Sequence, residues 1–435
     1  MLLHQRIKLG IQYLTAPMIA AFGLRFMFMA SGLLTSLMLA RMLSPAGMGA
    51  YTEVVAWALL IGGLCQAGWV PFLIREIAVR RSAGRSDQIR GLATSSTWIV
   101  TAICAVGGTA FMLWVRHDAG YAAKEELLLF TVPLVLAISV SAIWQAQVRA
   151  LGRPLWGQVA DYLVRPTSQI ILLACLAAGV IAQPSVPAAL TVLLLSSIAG
   201  VAVAYLLQRR AIRDLPAGER PEPLGMLLNK SMLLNTLIAW ASTLNAQIGI
   251  ILLAQTAPAS DVAQFRVAQQ LSILMSTGLI VSATLYAPCL SELAQLGRID
   301  ELRHVSRRIC AVSLAFALPI ALVYFLMPGA TLRLAFGNYY STATLSLTCL
   351  TVGQLVNAAF GAVTPLAIAT RNERGALLVH VISVSVNLVL CLALVPQLGA
   401  LGAAIGASAS LISWNLLLFI LLWKRAGIRS FAFMR

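Results

Sequence analysis

The chain has 435 residues, of which 60% are hydrophobic and only 11% charged, and its formal net charge is +16. Soluble domains run near half apolar and a quarter charged. A mean hydropathy of +0.87 over this length leaves too little polar surface to face water, and the same figures exclude a disordered chain, a collagen, a coiled coil and a disulfide-rich secreted module.

A bilayer is the solvent that remains. Apolar runs of about 18 or more residues read as spanning helices. Twelve are predicted, over 17–39, 54–74, 94–115, 127–148, 156–181, 188–207, 231–255, 267–288, 309–328, 345–369, 377–395 and 402–423. They lack the alternation of lipid-facing strands, so the predicted fold class is all-α and polytopic. Arg25 interrupts the first run, which resumes through Leu39 and outlasts the core of a cleaved signal peptide. With the N-terminus placed inside, inward segments hold 24 Lys and Arg and outward segments 5. The positive-inside rule then predicts that both termini are cytoplasmic. This asymmetry explains most of the basicity without nucleic acid. The seven cysteines form no C-x-x-C pair and read as small packing residues, with no disulfide frame, metal site or cofactor.

The longest polar stretch between spans, 208–230, lies mid-chain with Pro216, Pro221 and Pro223. It divides the protein into a lobe over 1–207 and a lobe over 231–435, with a cytoplasmic linker between them. Six spans per lobe make two parallel six-helix bundles, related by an axis along the membrane normal. Weak internal similarity at an offset of 213 (Pro45-Ala46 with Pro258-Ala259, Ala50 with Ala263, Val54 with Val267) fits such a repeat.

Polar residues inside spans are retained for a reason, since an arginine at a helix centre costs about 2.5–3.5 kcal/mol on insertion scales. Arg25 has two open readings: a fixed cation facing a central cavity, or a side chain snorkelling to the inner headgroups. Asp161 and Arg165, four apart, share one helical face and read as a self-neutralising ion pair, with coupling to transport as the other reading. Pro166 follows and kinks the span. Arg266 and Gln270 begin a polar stripe in span 8; interfacial capping competes with a cavity role there. Span 7 carries Asn235, Ser242 and Asn245, span 10 carries Gln354, Asn357, Gly361 and Thr364, and span 11 carries His380, Ser383 and Asn387. Any one stripe is explained by helix–helix hydrogen bonds. The three together predict a partly wet cavity.

Residues 39–51, LARMLSPAGMGAY, resemble the A-R-x-L-x-P-x-x-x-G-x-Y turn after the first helix of polysaccharide flippases, members of the multidrug/oligosaccharidyl-lipid/polysaccharide (MOP) exporter superfamily. Ala67-Gly68 through Arg75-Glu76, and residues 334–340, LAFGNYY, are similar to further segments of that family. With the twelve-span layout, the resemblance covers nearly the whole chain. It implies a V-shaped, MATE-like pair of bundles in the bacterial inner membrane that flips undecaprenyl-pyrophosphate-linked oligosaccharides by alternating access. It also implies membrane lipids and polysaccharide polymerase machinery as partners. The peptidoglycan-precursor branch carries an Arg-Asp pair where this chain has Thr35 and Ser36, which argues against that branch's substrate.

Transfer energies favour the same class. Each bare hydroxyl moved into hydrocarbon costs about 4–8 kcal/mol, so a headgroup of several sugars needs a wet groove open sideways to its lipid tail. A cation-coupled drug exporter, the alternative, wants an embedded carboxylate, and spans 1 and 7 have none. A membrane enzyme needs paired acids on the outer face. The adjacent Glu125 and Glu126 diverge on a helix, so that class comes last.

Overall fold

Peptide groups in hydrocarbon find no water, so spanning segments fold as helices that satisfy their own hydrogen bonds. The computed structural model describes residues 16–213, 230–370 and 372–426, and among these there is no strand. Helix α1 is Ala16–Met42. The Ser44 hydroxyl accepts the Gly47 N–H at 3.1 Å and caps α2, Pro45–Gln66, with Pro45 in the first turn. α2 stops where Gly68 takes φ 77°, and α3, Trp69–Ser82, completes that crossing. Then come α4, Ser86–His117; a 3₁₀ turn, Ala119–Lys124; α5, Thr131–Ala150; α6, Trp156–Ala177; and α7, Val186–Arg213. The second half comprises α8, Lys230–Thr256; α9, Ala259–Leu274; α10, Thr277–Gln295; α11, Ile299–Leu326; α12, Pro328–Phe336; α13, Thr344–Phe360; α14, Val363–Ala369; α15, Glu373–Leu398; and α16, Ala400–Ala426.

Among the described residues, eleven helical stretches are long and apolar enough to cross a membrane. The expected eighth span is divided into α9 and α10 at Met275–Ser276. The expected tenth span is also interrupted. Gly361 takes φ 68° after α13, and a Cβ there would press on the Cys310 sulfur, so the chain turns and restarts as α14. Residues 208–213, expected in the linker, extend α7 by more than a turn. Residues 214–229, with the linker prolines, and the charges Arg6, Lys8, Arg371, Arg429 and Arg435 lie outside the described residues.

Helices α1–α7 pack mainly on one another, as do α8–α16, and the two sets meet along α2, which lies against α8 and α9. That seam needs small residues. A Cβ on Gly49 would collide with the carbonyl of Ala259 in α9, and one on Gly68 with the Thr236 hydroxyl in α8. Large apolar side chains such as Trp98, Val106, Ile171 and Leu392 are exposed on the outside, as lipid-facing residues are. Chain direction brings Arg80, Arg81, Arg149, Arg209, Arg210 and Arg298 to one end of the bundle, the basic end. The turns before α2, α5 and α9 form the far end.

Candidate cationic cavity

Two cavities lie one above the other beside the seam. The far cavity, about 240 Å³, is walled by α1, α2, α5, α6 and α7 and closed by two side chains of the other half, Arg266 and Gln270 of α9. Arg165 of α6 faces it too. Guanidiniums from both halves therefore share one space. Among the described residues neither has a carboxylate at ion-pair distance. Arg266 donates to Gln269 Oε1 at 3.1 Å. Gln169, one turn beyond Arg165, donates to the buried Tyr51 hydroxyl at 3.3 Å. Ser31, Thr35, Ser36, Thr52 and Ser197 add hydroxyls, and the Ser36 oxygen is buried without a partner.

The near cavity, about 300 Å³, lies on the basic-end side of the far one. It holds Arg149, Asp161, Tyr162, Gln66, Gln145 and Gln158, with Ala239 and Thr243 from α8. At their adjoining edges the two linings are one helical turn apart, about 5.4 Å. On α2 the lining passes from Leu59 to Gly63, and on α5 from Ile138 to Ala142. Phe28 of the far cavity stacks on Tyr162 of the near one, with centroids 5.0 Å apart.

The expected Asp161–Arg165 pair does not form. Residues 160–164 make a π turn, which returns position i+5 rather than i+4 over i and takes Arg165 out of register with Asp161. Asp161 accepts instead from Ser141 at 3.3 Å and faces the near cavity, while Arg165 faces the far one. Arg266 and Gln270 line the far cavity.

The second-half stripes are used differently. Asn387 of α15 donates to Asn245 Oδ1 of α8 at 2.7 Å, and Ser410 of α16 donates to the same oxygen at 2.8 Å. Asn357 donates to Gln354 Oε1 at 3.3 Å and accepts from Asn415 of α16 at 3.1 Å. His380 is buried and its ring packs on Trp414 at 4.2 Å. None of Asn245, Asn387, Gln354, Asn357 and His380 lines either of these two cavities, and the first four are engaged in hydrogen bonds within the helix bundle. The helices approach closely there: at Gly406 a Cβ would meet Cys391 and Asn387. Asn235 falls on α8, and its side chain lies outside the described ones. Arg25 is half-buried on α1, three residues before Phe28, and lines neither cavity.

Tyr51, Gln169, Arg149 and Gln145 were missed by sequence reasoning. Tyr51 closes the 39–51 motif, and Gln169 and Gln145 stand four residues from Arg165 and Arg149. Those spacings were the available signal.

The fold is that of MOP-superfamily transporters. An inward-facing multidrug-resistance MATE family transporter matches at TM-score 0.69 and 14% identity, covering 94% of this chain and 98% of its own. The lipid II flippase MurJ, in an inward closed conformation, matches at TM-score 0.70 and 14% identity, over 93% of this chain and 86% of its own. A MOP-superfamily transporter from Pyrococcus furiosus, described by a binding pocket of reverse polarity, matches at 0.66 and 14%, over 96% and 95%. No curated protein matches by sequence. The model of the polysaccharide biosynthesis protein family matches residues 19–294, and the chain belongs to that family.

Proposed function

We propose that this multi-pass membrane protein is a flippase. It carries undecaprenyl-pyrophosphate-linked oligosaccharide units across the bacterial inner membrane for surface polysaccharide synthesis, with the basic end and both termini in the cytoplasm. The carrying observation is the convergence of Arg165 and Arg266, from the two halves, on one cavity with amides and hydroxyls but no carboxylate in its lining. Two guanidiniums facing one cavity with no counter-charge repel each other unless an anion joins them. A diphosphate supplies the charge and the acceptor oxygens that Arg binds in pairs. A ligand gripped by both halves also suits alternating access, in which the lobes rock about a site near the midplane. Arg25, nearer the basic end on the α1 face that carries Phe28, is assigned to the entry path. Polymerase machinery on the outer face is the proposed downstream partner. The drug-exporter alternative wants a carboxylate in the cavity; Asp161, the deep acid, faces the near cavity together with Arg149.

The test is complementation in a strain deleted for this gene. The deletion should accumulate lipid-linked oligosaccharide on the inner leaflet, and the wild-type chain should clear it. Arg165→Ala and Arg266→Ala should each reach the membrane and fail to restore surface polysaccharide. Normal export by the double variant would overturn the assignment.

A further inference from the structure

The near cavity differs from the far one in the kind of partner it lacks. Two of its buried atoms are unsatisfied: the Arg149 Nε–H, a donor, and Gln66 Oε1, an acceptor. Each such group costs about 1–3 kcal/mol when left without a partner. A phosphate accepts and never donates in its ionised form. Facing this cavity it would meet the Asp161 carboxylate head-on. A hydroxyl both donates and accepts, and so suits a lining that sets a carboxylate beside amides and a guanidinium.

The remaining lining has the same character. Gln145 Nε2 donates to Ser141 Oγ at 2.7 Å, and that hydroxyl donates to Asp161 Oδ1 at 3.3 Å, which fixes the carboxylate and leaves it acceptor capacity toward the cavity. Planar carboxylate, amide and guanidinium groups grip neighbouring hydroxyls in pairs. The Tyr162 ring adds an apolar face at the junction with the far cavity, where it is held by Phe28. Position completes the argument. The sugars of the cargo extend away from its diphosphate, and the near cavity begins one helical turn from the dicationic one, with Asp161 four residues from Arg165 and with Gln66 and Arg149 further on.

We propose that the near cavity is a carbohydrate subsite, in which Asp161, Gln66, Gln145 and Arg149 bind the first sugar residues of the cargo whose diphosphate occupies the far cavity. This rests on the flippase reading and assigns glycan selectivity to a set of side chains separate from Arg165 and Arg266.

The experiment titrates the full chain in lipid nanodiscs with three probes. They are farnesyl pyrophosphate, the same lipid pyrophosphate bearing one hexose, and the same bearing one N-acetylhexosamine. In the wild type at least one glycosylated probe should bind about tenfold tighter than the bare one, the worth of one good hydrogen-bond pair. In Asp161→Ala that ratio should fall to about one. Gln66→Leu reads the same ratio should the first variant fail to fold, and binding of the bare probe certifies folding in either. The subsite is overturned if neither sugar improves binding, or if the ratio survives in both variants. The flippase reading fails in a different way: the bare probe would not bind the wild type, or Arg165→Ala and Arg266→Ala would leave its affinity unaltered.

Discussion

Polar side chains in this protein divide by what surrounds them. Asn245, Asn387 and Ser410 satisfy one another across three helices, whereas Arg165 and Arg266 face open space. Amides and hydroxyls at helical spacing look alike in a sequence whether they face a cavity or a neighbouring helix, because the period fixes the face and not its partner. The stripes at Asn245, Gln354, Asn357 and Asn387 were therefore visible, and their role was not. Asn387→Ala should cost about 1 kcal/mol, the usual worth of an interhelical hydrogen bond in a membrane. It should lower the thermal midpoint in detergent slightly while leaving farnesyl pyrophosphate affinity within about twofold. A tenfold loss of affinity with unchanged melting would return this network to the transport path.

One helical irregularity decides which cavity each charge of α6 serves. The Ala160–Val164 π turn sits directly before Arg165 and Pro166. Pro166 has no N–H to donate, which favours an irregular turn just upstream, and the kink was predictable from that residue. The insertion of a π turn was not, since no side-chain type encodes it. The helix breaks at Gly68 and Gly361 follow the same pattern. Each glycine was legible as a residue, but its positive φ depends on a helix from elsewhere in the chain pressing on it. Deleting Leu163 should return α6 to regular α-helix and swing Arg165 away from the far cavity. Farnesyl pyrophosphate affinity should then fall about tenfold or more, as expected for losing one charge-assisted hydrogen-bond pair. Deleting Gln183, in the turn after α6, should leave it unaltered. Equal losses in both deletions would mean that helix length, and not the π turn, sets the site.

The two motif segments that carried the family resemblance meet in space. Arg41, from the 39–51 motif, donates to the carbonyls of Leu334 at 2.9 Å and Ala335 at 3.1 Å, in the 334–340 motif. Nearby, Lys124 reaches the buried Glu53 carboxylate of α2 at 2.8 Å and the Ala254 carbonyl of α8 at 3.2 Å. Both arrangements tie helices before residue 213 to helices after residue 230, and both lie at the far end. The division into lobes over 1–207 and 231–435, read from span counting and the polar stretch between, gives these contacts their proposed meaning: they latch the outward side shut while the basic end is open. Neither latch could be paired from sequence, because the contacts that cross between the halves, Arg41 to Leu334 and Lys124 to Ala254, join residues more than 100 positions apart in the chain. Charge-assisted hydrogen bonds contribute about 1.5–3 kcal/mol each. Losing both latches in Arg41→Ala/Lys124→Ala should shift the closed-to-open ratio by roughly 100-fold or more. Spin labels on noncanonical residues at positions 117 and 342 would report this as a new, longer distance in the double variant. An unchanged distance distribution would mean that the tight seam at Gly49 holds the far end closed by packing alone, and the latches would then have no part in the transport cycle.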